Sequence, residues 1–424
     1  MRTECVVKLK RFCSKTAIAV SGTCLVGAAL AGCGGGGVSD VPSSQLANPN
    51  LAVAEGKTEQ PTVRKRLGSK VALLLPLGAA GQSAIVAKSM KQAAEMALFE
   101  SNYSDFQIVV KDTKGTADGA AAAANSALAE GVELIVGPLF AQSVTAVSQA
   151  AGPQNIPVIA FSNDQRVAGP NIYLLSFQAQ QEVRRVISFA SMQGKKQFIA
   201  LVPDNTYGET LEAEFRSAVT AGGGIAVAVE RYPAGLGGIL GPAHKLIEDI
   251  RVAEESGIKI DALFAPGGPD ILSNLGSVIR QEKLDTSQIQ LLGTGGWDYP
   301  NISREKAFIG GWYPAPDPRS WRNFSDKFSK SFGTAPPRIA SLAHNAITIA
   351  IRLARSHEKG QRYTQANLTR AGGFLGADGI VRFTTQGLVE RSLAILEVRK
   401  FGPRVISPAP QTFSENAAAS LRIP

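Results

Sequence analysis

Cysteine is scarce and confined to one end of this 424-residue sequence. The four cysteines are Cys5, Cys13, Cys24 and Cys33. A chain that begins at Cys33 has no second cysteine with which to form a disulfide, so its fold depends on a hydrophobic core alone. Histidine is also rare, with three copies at positions 244, 344 and 357. Zinc sites need clustered cysteine and histidine at fixed spacing, and no such spacing occurs here.

The sequence also lacks the motifs of common catalytic and cofactor sites. It has no G-x-S-x-G segment, and the S-x-x-K match at Ser303–Lys306 lacks its K-T-G and S-D-N companions. Gly78 and Gly81, in the loop after the apolar run VALLLPL, form neither G-x-G-x-x-G nor a phosphate-binding loop. We interpret the acidic residues around Asp112 as strand ends and a helix cap. We therefore expect no enzyme activity, no metal and no cofactor.

Long runs of one charge are absent. No block of five or six like charges, no basic stripe and no aromatic stacking motif occurs, so we expect no nucleic-acid partner. The formal net charge is +9. It falls to +5 when the first 32 residues, with five basic and one acidic side chain, are set aside. That value is ordinary for a protein of this size.

What is present begins with an N-terminal export segment. Basic residues up to Lys15 precede a mostly apolar run from Thr16 to Leu30, which predicts a signal peptide over residues 1–32. The following Leu-Ala-Gly-Cys resembles the lipobox of bacterial lipoproteins. That resemblance implies a lipid on Cys33, which would anchor the chain to a membrane. The alternative is an ordinary signal peptide with a chance cysteine. A small residue at Gly34 resembles lipoproteins sorted to an outer membrane, and residues 33–67 read as a flexible linker.

From residue 70 onward, short apolar runs alternate with helical patterns. The runs VALLLPL (71–77), FQIVVKD (106–112), ELIVGPL (133–139) and PVIAFS (157–162) are separated by helical segments, and a second series of the same kind begins after residue 177. This alternation predicts an α/β fold with two doubly wound, parallel sheets. Turn signals at residues 377–379 and 386–387 predict antiparallel strands near the C-terminus.

Three segments resemble those of the type I periplasmic binding proteins, in particular the leucine/isoleucine/valine-binding receptors. They are GPLFAQSV (137–144), LVPDNTYGET (201–210) and GFLGADGIVRF (373–383). The resemblance implies two Rossmann-like lobes joined by a three-crossover hinge, with a ligand cleft between them. We assign residues 68–177 and 307–360 to lobe 1, residues 178–306 and 361–402 to lobe 2, and residues 403–424 to a tail.

In lobe 1, the resemblance points to two polar loops as ligand contacts. Gln142 and Ser143 open the helix after the third strand, where backbone N–H groups suit a carboxylate. A helix cap by Ser143 is the alternative. Ser162, Asn163 and Asp164 end the next strand and could orient an amino acid, or could form an Asx turn instead.

In lobe 2, the resemblance implies that Tyr207, in the family's D-x-x-Y-G segment, reaches across the cleft to contact the ligand. A purely structural tyrosine is the alternative. Two positions depart from the family. Gly268 lies in a Pro-Gly-Gly segment where the receptors have an aromatic residue. The second departure is at the position where the receptors have an acidic residue for the ligand's ammonium. This chain has a glycine-rich turn there, followed by Trp297 and Asp298. Trp297 could form a wall of the cleft, and Asp298 could be that acid. An unpaired buried ammonium would be costly, so the departures leave amino-acid binding open.

Two functions therefore remain open. The first is a periplasmic, lipid-anchored receptor that binds a small polar ligand, such as an amino acid, for an ABC transporter permease. The second is a penicillin-binding-protein activator, which contacts a peptidoglycan synthase from the outer membrane. The pattern VALLLPLGAAG followed by IVGPLF resembles those activators.

Overall fold

The computed structural model describes residues 68–413, except for 234 and 236. The expected signal peptide, the lipidation site at Cys33, the linker and the last eleven residues lie outside the described residues. No helix in residues 68–413, positions 234 and 236 aside, is both long and apolar enough to cross a membrane.

The first lobe is built on a parallel five-stranded sheet. Its strands are β1 (Ser69–Leu75), β2 (Phe106–Asp112), β3 (Leu134–Val136), β4 (Val158–Ala160) and β5 (Ile172–Leu174). Between them lie the helices α1 (Gln82–Ser101), α2 (Ala117–Ala129) and α3 (Ala141–Ala151). The strand order is β2-β1-β3-β4-β5, and every pair is parallel. Residues 71–75 of β1 are completely buried because helices cover both faces of the sheet.

The second lobe repeats this arrangement after the first crossover at residues 175–178. Its strands are β6 (Gln197–Pro203), β7 (Ile225–Tyr232), β8 (Ala262–Phe264), β9 (Gln290–Leu292) and β10 (Trp312–Ala315). Its helices are α4 (Ala179–Met192), α5 (Thr206–Ala221), α6 (Leu240–Glu255) and α7 (Pro269–Gln281). The five strands pair in parallel in the order β10-β9-β8-β6-β7.

The chain then returns to the first lobe and crosses back once more. The returning elements are α8 (Pro318–Phe332), α9 (Ala340–Ser356), the short α10 (Gln365–Leu368), and the antiparallel strands β11 (Phe374–Gly376), β12 (Gly379–Phe383) and β13 (Val389–Arg391). They pack on the first lobe, where buried residues of α9, β11 and β13 share one apolar core with α1. The last strands, β14 (Ala394–Glu397) and β15 (Arg404–Ser407), extend the second sheet beside β10.

Three connections thus join the lobes, at residues 175–178, 316–317 and 392–393. This is the three-crossover architecture that the family resemblance implied. The lobe boundaries differ from the expected ones in three places. β10 pairs within the second sheet, although residues 307–360 were assigned to lobe 1, because the chain turns back only after Ala315. Residues 361–391 pack on the first lobe, not on the second, because their apolar side chains meet α9. The tail expected from residue 403 includes strand β15, which pairs with β14.

Candidate ligand-binding site

Tyr207 lies in the first turn of α5, at the carboxyl end of β6. Asn205 caps that helix by accepting the Gly208 N–H at 3.0 Å. A Cβ atom at Gly208 would lie 1.7 Å from the Pro203 carbonyl oxygen, so only glycine lets the helix start this close to the strand. Tyr207 itself is 47% exposed. The glycine in D-x-x-Y-G therefore determines the position of the tyrosine ring at the start of α5.

The Tyr207 hydroxyl meets polar groups from two other elements of the second lobe. It lies near the side chains of Thr294 and Glu182. Burial of the hydroxyl raises the pKa of Tyr207 to about 12, and the charge of Glu182 adds to this effect. The phenol is therefore neutral at physiological pH and can both donate and accept a hydrogen bond.

Glu182 is the group that sequence reasoning missed. It lies in the first turn of α4, just after the first crossover, and its Oε2 accepts the Gly295 N–H at 3.0 Å. A Cβ atom at Gly295 would lie 2.8 Å from Glu182 Oε1, so the carboxylate would have to shift if this residue were not glycine. Burial raises the pKa of Glu182 to about 7, although the Gly295 hydrogen bond and the charge of Arg391 oppose the shift. The residue stands among polar neighbours in the segment QAQQEVRR, so nothing in the sequence marked it as buried.

The raised pKa of Glu182 predicts a pH-dependent stability. The folded chain holds this proton up to about pH 7, while an unfolded glutamate releases it near 4.5, so stability should fall as pH rises from 4.5 to 7. The variant Glu182→Gln has no such proton, and above pH 7 it should be more stable than the natural chain by up to about 3 kcal/mol. Denaturant unfolding at pH 4.5, 6 and 8 measures the slope. Glu248→Gln, on the exposed face of α6, should leave the slope unchanged. An unchanged slope in Glu182→Gln contradicts the assignment.

Asp298, expected to bind a ligand ammonium, is already paired. Its carboxylate forms an ion pair with Arg338, which lies in the loop between α8 and α9 on the first lobe. The Arg338 guanidinium also stacks 4.1 Å from the centre of the Trp321 ring. The ion pair joins the two lobes. Asp298 therefore links the two lobes through Arg338, and its carboxylate already has a cation as its partner.

Trp297, expected to form a wall of the cleft, lies in the core of the second lobe. It is fully buried, its Nε1 donates to the Ala265 carbonyl at 3.0 Å, and its ring packs edge-on against Phe308 at 5.1 Å. A Cβ atom at Gly293 would lie 2.2 Å from the indole, so that glycine provides the space for the ring. The glycine-rich turn therefore accommodates a core tryptophan, which is a different role from the one expected.

The Pro-Gly-Gly segment after β8 starts α7. Gly268 is the N-cap of that helix in an extended conformation, and a Cβ atom there would meet no other atom. Gly267 is the constrained glycine, with φ of +152° and Ile271 2.6 Å from its would-be Cβ atom. Gly268 thus has open space beside it, at a position where the resemblance led us to expect a ligand contact.

The loop after β3 carries Gln142 and Ser143, and Ser143 bonds within the protein instead of capping α3. Ser143 is fully buried and donates to the Thr116 carbonyl at 3.2 Å, which ties α3 to the start of α2. The N-cap of α3 is Phe140, which makes no side-chain cap, so the expected alternative of a Ser143 cap does not occur. Gln142 is exposed at the start of the helix.

The segment at residues 162–164 satisfies its own hydrogen bonds. The buried Ser162 hydroxyl accepts the Asp164 N–H at 3.2 Å. Asp164 accepts the Arg166 N–H at 3.1 Å and pairs with its guanidinium at 2.7 Å, and this pairing lowers the pKa of the Asp164 carboxyl. Asn163 is exposed. The geometry is that of the Asx turn given as the alternative.

A second polar cluster, also missed by sequence reasoning, lies beside the hinge. Asp378, in the turn between β11 and β12, accepts hydrogen bonds from Ser341 Oγ at 2.9 Å, Asn345 Nδ2 at 2.7 Å and Arg391 Nη2 at 2.6 Å. The Arg391 guanidinium also lies 4.6 Å from the centre of the Phe177 ring, next to the first crossover. An inward-facing arginine at the end of β13, two residues after the buried Val389, is the signal that could have revealed it.

A separate surface depression of about 1130 Å³ lies elsewhere on the first lobe. Residues that precede β3, β4 and β5 line it, so it opens at the amino ends of these strands. Doubly wound sheets bind ligands at the carboxyl ends of their strands. We therefore place the candidate site at Tyr207, Thr294 and Glu182, beside the carboxyl ends of the second-lobe strands.

The fold and this site can now be set against known proteins. A model of the periplasmic binding protein family matches residues 69–403. The chain belongs to this family. A putative branched-chain amino acid ABC transporter structure from Rhodospirillum rubrum superposes on it with a TM-score of 0.69 and 18% identity, and covers 80% of this chain and all of its own. A solute-binding protein of an ABC transporter from Rhodopseudomonas palustris, in complex with 3,4-dihydroxybenzoic acid, gives a TM-score of 0.55 at 17% identity, with 81% and 99% coverage.

Curated relatives of a second kind also match this periplasmic binding protein. A penicillin-binding protein activator LpoA from Pantoea ananatis is 30% identical over 130 residues, which are 30% of this chain and 19% of that protein. The alignments with the curated relatives span at most 40% of those relatives' own length. At identities below 25%, the solved structures show a shared fold and nothing finer.

Proposed function

We propose that this periplasmic binding protein is a non-enzymatic receptor whose lobes close on a small polar, amino-acid-like ligand. The observation that carries the proposal is the convergence of Tyr207, Thr294 and Glu182 at the carboxyl ends of the second-lobe strands. Two hydroxyls and a half-buried carboxylate lie near one another beside the hinge there. Such groups orient a small ligand, and hinge closure then traps it.

Glu182 supplies the anionic group that the family pattern led us to seek at Asp298. A ligand ammonium needs a carboxylate partner when it is buried, and Asp298 is occupied by Arg338. An ammonium bound beside Glu182 would also stabilise the ionised form of that carboxyl. The ligand would pass to an ABC transporter permease. The protein would be held at a bacterial membrane, more specifically the outer membrane, by a lipid on Cys33, which the intact mass of the membrane-extracted chain would reveal.

Removal of Tyr207 tests the proposed site. A ligand at 100 times its dissociation constant stabilises the natural chain by about 2.7 kcal/mol, and Tyr207→Ala should lose most of that gain. Tyr207→Phe keeps the ring and loses one neutral hydrogen bond, which should weaken binding up to about tenfold. Thermal unfolding across the twenty amino acids measures both effects. Tyr103→Phe, in the turn after α1, should bind as the natural chain does. If no amino acid shifts the midpoint of the natural chain, the amino-acid receptor fails.

One observation favours a second function, that of a penicillin-binding-protein activator. The Asp298–Arg338 ion pair joins the lobes through protein groups alone, and a chain that is held in this way could act through its outer surface. The curated relatives named above support this alternative. If this alternative holds, a purified peptidoglycan synthase would bind this chain and gain activity. Tyr207→Ala would bind and activate the synthase as the natural chain does. Absence of both effects would exclude this alternative.

A further inference from the structure

Arg391 is a buried cation with donors that the protein does not use. The residue is 8% exposed, and its Nη2 donates to Asp378. Its Nε and Nη1 are buried and donate to no acceptor within residues 68–413, apart from the undescribed positions 234 and 236. Nη1 of Arg338 is buried and lacks an acceptor in the same part of the chain. A buried charged donor without an acceptor destabilises the fold, so these N–H groups need explaining.

The neighbouring carboxylates already have hydrogen-bond or ion-pair partners. Asp378 already accepts three hydrogen bonds, from Ser341, Asn345 and Arg391. Asp298 pairs with Arg338, and Glu182 accepts the backbone N–H of Gly295. The two arginines thus lie among acids, and three of their guanidinium nitrogens still lack an acceptor in the described part of the chain.

The two arginines are close enough to affect one another. Burial lowers the pKa of Arg338 to about 10, with the charge of Asp378 opposing the shift and the charge of Arg391 adding to it. Asp378 and Asp298 together carry as much formal charge as the two arginines, so the cluster has unused N–H donors but no excess positive charge. It therefore suits an acceptor with a single negative charge, such as a carboxylate, better than a doubly charged phosphate.

The cluster also borders the proposed ligand site. Arg391 is the last residue before the third crossover, and its guanidinium lies against Phe177 of the first crossover. Its backbone N–H donates to Oε1 of Gln181, the residue before Glu182, at 3.0 Å. Its charge also opposes the rise in the pKa of Glu182, so the arginine is a neighbour of the proposed ligand site.

We propose that the unpaired N–H groups of Arg391, supported by Nη1 of Arg338, bind a carboxylate of the ligand. This inference rests on the proposed receptor function and narrows its ligand class to solutes that carry a carboxylate. The family-type loops at residues 142–143 and 162–164 are then not the main anion site, since Ser143, Ser162 and Asp164 already bond within the protein.

Pairs of acids and amides test the inference on the natural chain. We would measure thermal midpoints of the full chain with acetate, benzoate and leucine, and with acetamide, benzamide and leucinamide at the same concentrations. The inference predicts that acids of this set stabilise the chain and that each matched amide binds at least tenfold more weakly. This comparison needs no variant, so a folding defect cannot obscure it.

Arg391→Lys adds a test of the residue itself. Lysine keeps the charge and can still reach Asp378, but it loses the planar set of donors, so acid binding should weaken at least tenfold. Arg185→Lys is the matched control, because Arg185 is a hinge arginine whose Nε and Nη2 already donate to the Leu393 carbonyl and to Ser407. That control should bind acids as the natural chain does.

The outcomes separate the inference from the function on which it rests. If acids and amides bind equally and Tyr207→Ala abolishes both, the receptor stands and the carboxylate inference is overturned. Arg391→Lys that binds acids as tightly as the natural chain also overturns the inference. If no acid or amide binds, the carboxylate inference fails together with the receptor function for these solutes.

Discussion

Replacement of Asp378 by alanine is expected to lower the free energy of unfolding by about 3–5 kcal/mol, as removal of one partner from a buried ion pair usually does. The Asp378 side chain is fully buried, and the Arg391 side chain beside it is almost so. The change would remove the acceptor of the buried Arg391 guanidinium, and would also leave the Asn345 side-chain amide without the acceptor of its N–H group. The loss would loosen the contact between α9 and the strands that lead to the third crossover.

Denaturant unfolding of the variant measures this effect. Asp249→Ala is a suitable control, because Asp249 pairs with Lys245 on the exposed side of α6. Exposed pairs contribute up to about 1 kcal/mol, so the control should unfold close to the natural midpoint. An Asp378→Ala chain as stable as its control would show that the buried cluster has no structural role.

Replacement of Trp297 by alanine is expected to destabilise the second lobe by about 3–5 kcal/mol, which is typical when a large buried aromatic is truncated. The indole fills space left by Gly293 and Gly311, packs against Phe308, and satisfies the Ala265 carbonyl. The backbone around Gly293 and Gly311 is held in place by the sheet, so it could not move far enough to fill the cavity that the indole would leave.

Trp297→Phe distinguishes this core role from the expected role in a cleft wall. Phenylalanine keeps most of the apolar contact but leaves the Ala265 carbonyl without its donor, a loss of about 1–3 kcal/mol. A core role predicts lower stability with unchanged ligand affinity in the folded protein. Equal stability with altered affinity, measured by unfolding and by calorimetric titration, would support the wall instead.

The architecture could be predicted from the sequence because it rests on local patterns, whereas the ligand role of Tyr207 stays a prediction. Alternation of apolar strands and helices specifies parallel sheets, and the glycine in D-x-x-Y-G is required by the close approach of Pro203. The lobe boundaries were harder to predict. The four-residue β10 carries no local mark of the sheet that it joins, and β15 lies in a segment rich in proline and serine.

The buried charges could not be predicted, because their burial is a property of the assembled hinge. Glu182 and Arg391 are separated by more than 200 residues, and each looks like a surface residue in its own segment. Asp298 has the chemistry expected of an ammonium ligand, yet its partner Arg338 comes from the other lobe. Short polar segments such as residues 162–164 fit a ligand site and a self-bonded turn equally well until the hydrogen bonds are known.

The central claim is that the cleft holds a small carboxylate-bearing ligand. Mass spectrometry of solutes released by denaturing the freshly purified chain tests it most directly. We predict that the natural chain releases one such solute in a ratio near one per chain, and that Tyr207→Ala releases little of it. The claim is contradicted if the natural chain releases no solute, or if both chains release the same solutes in the same amounts.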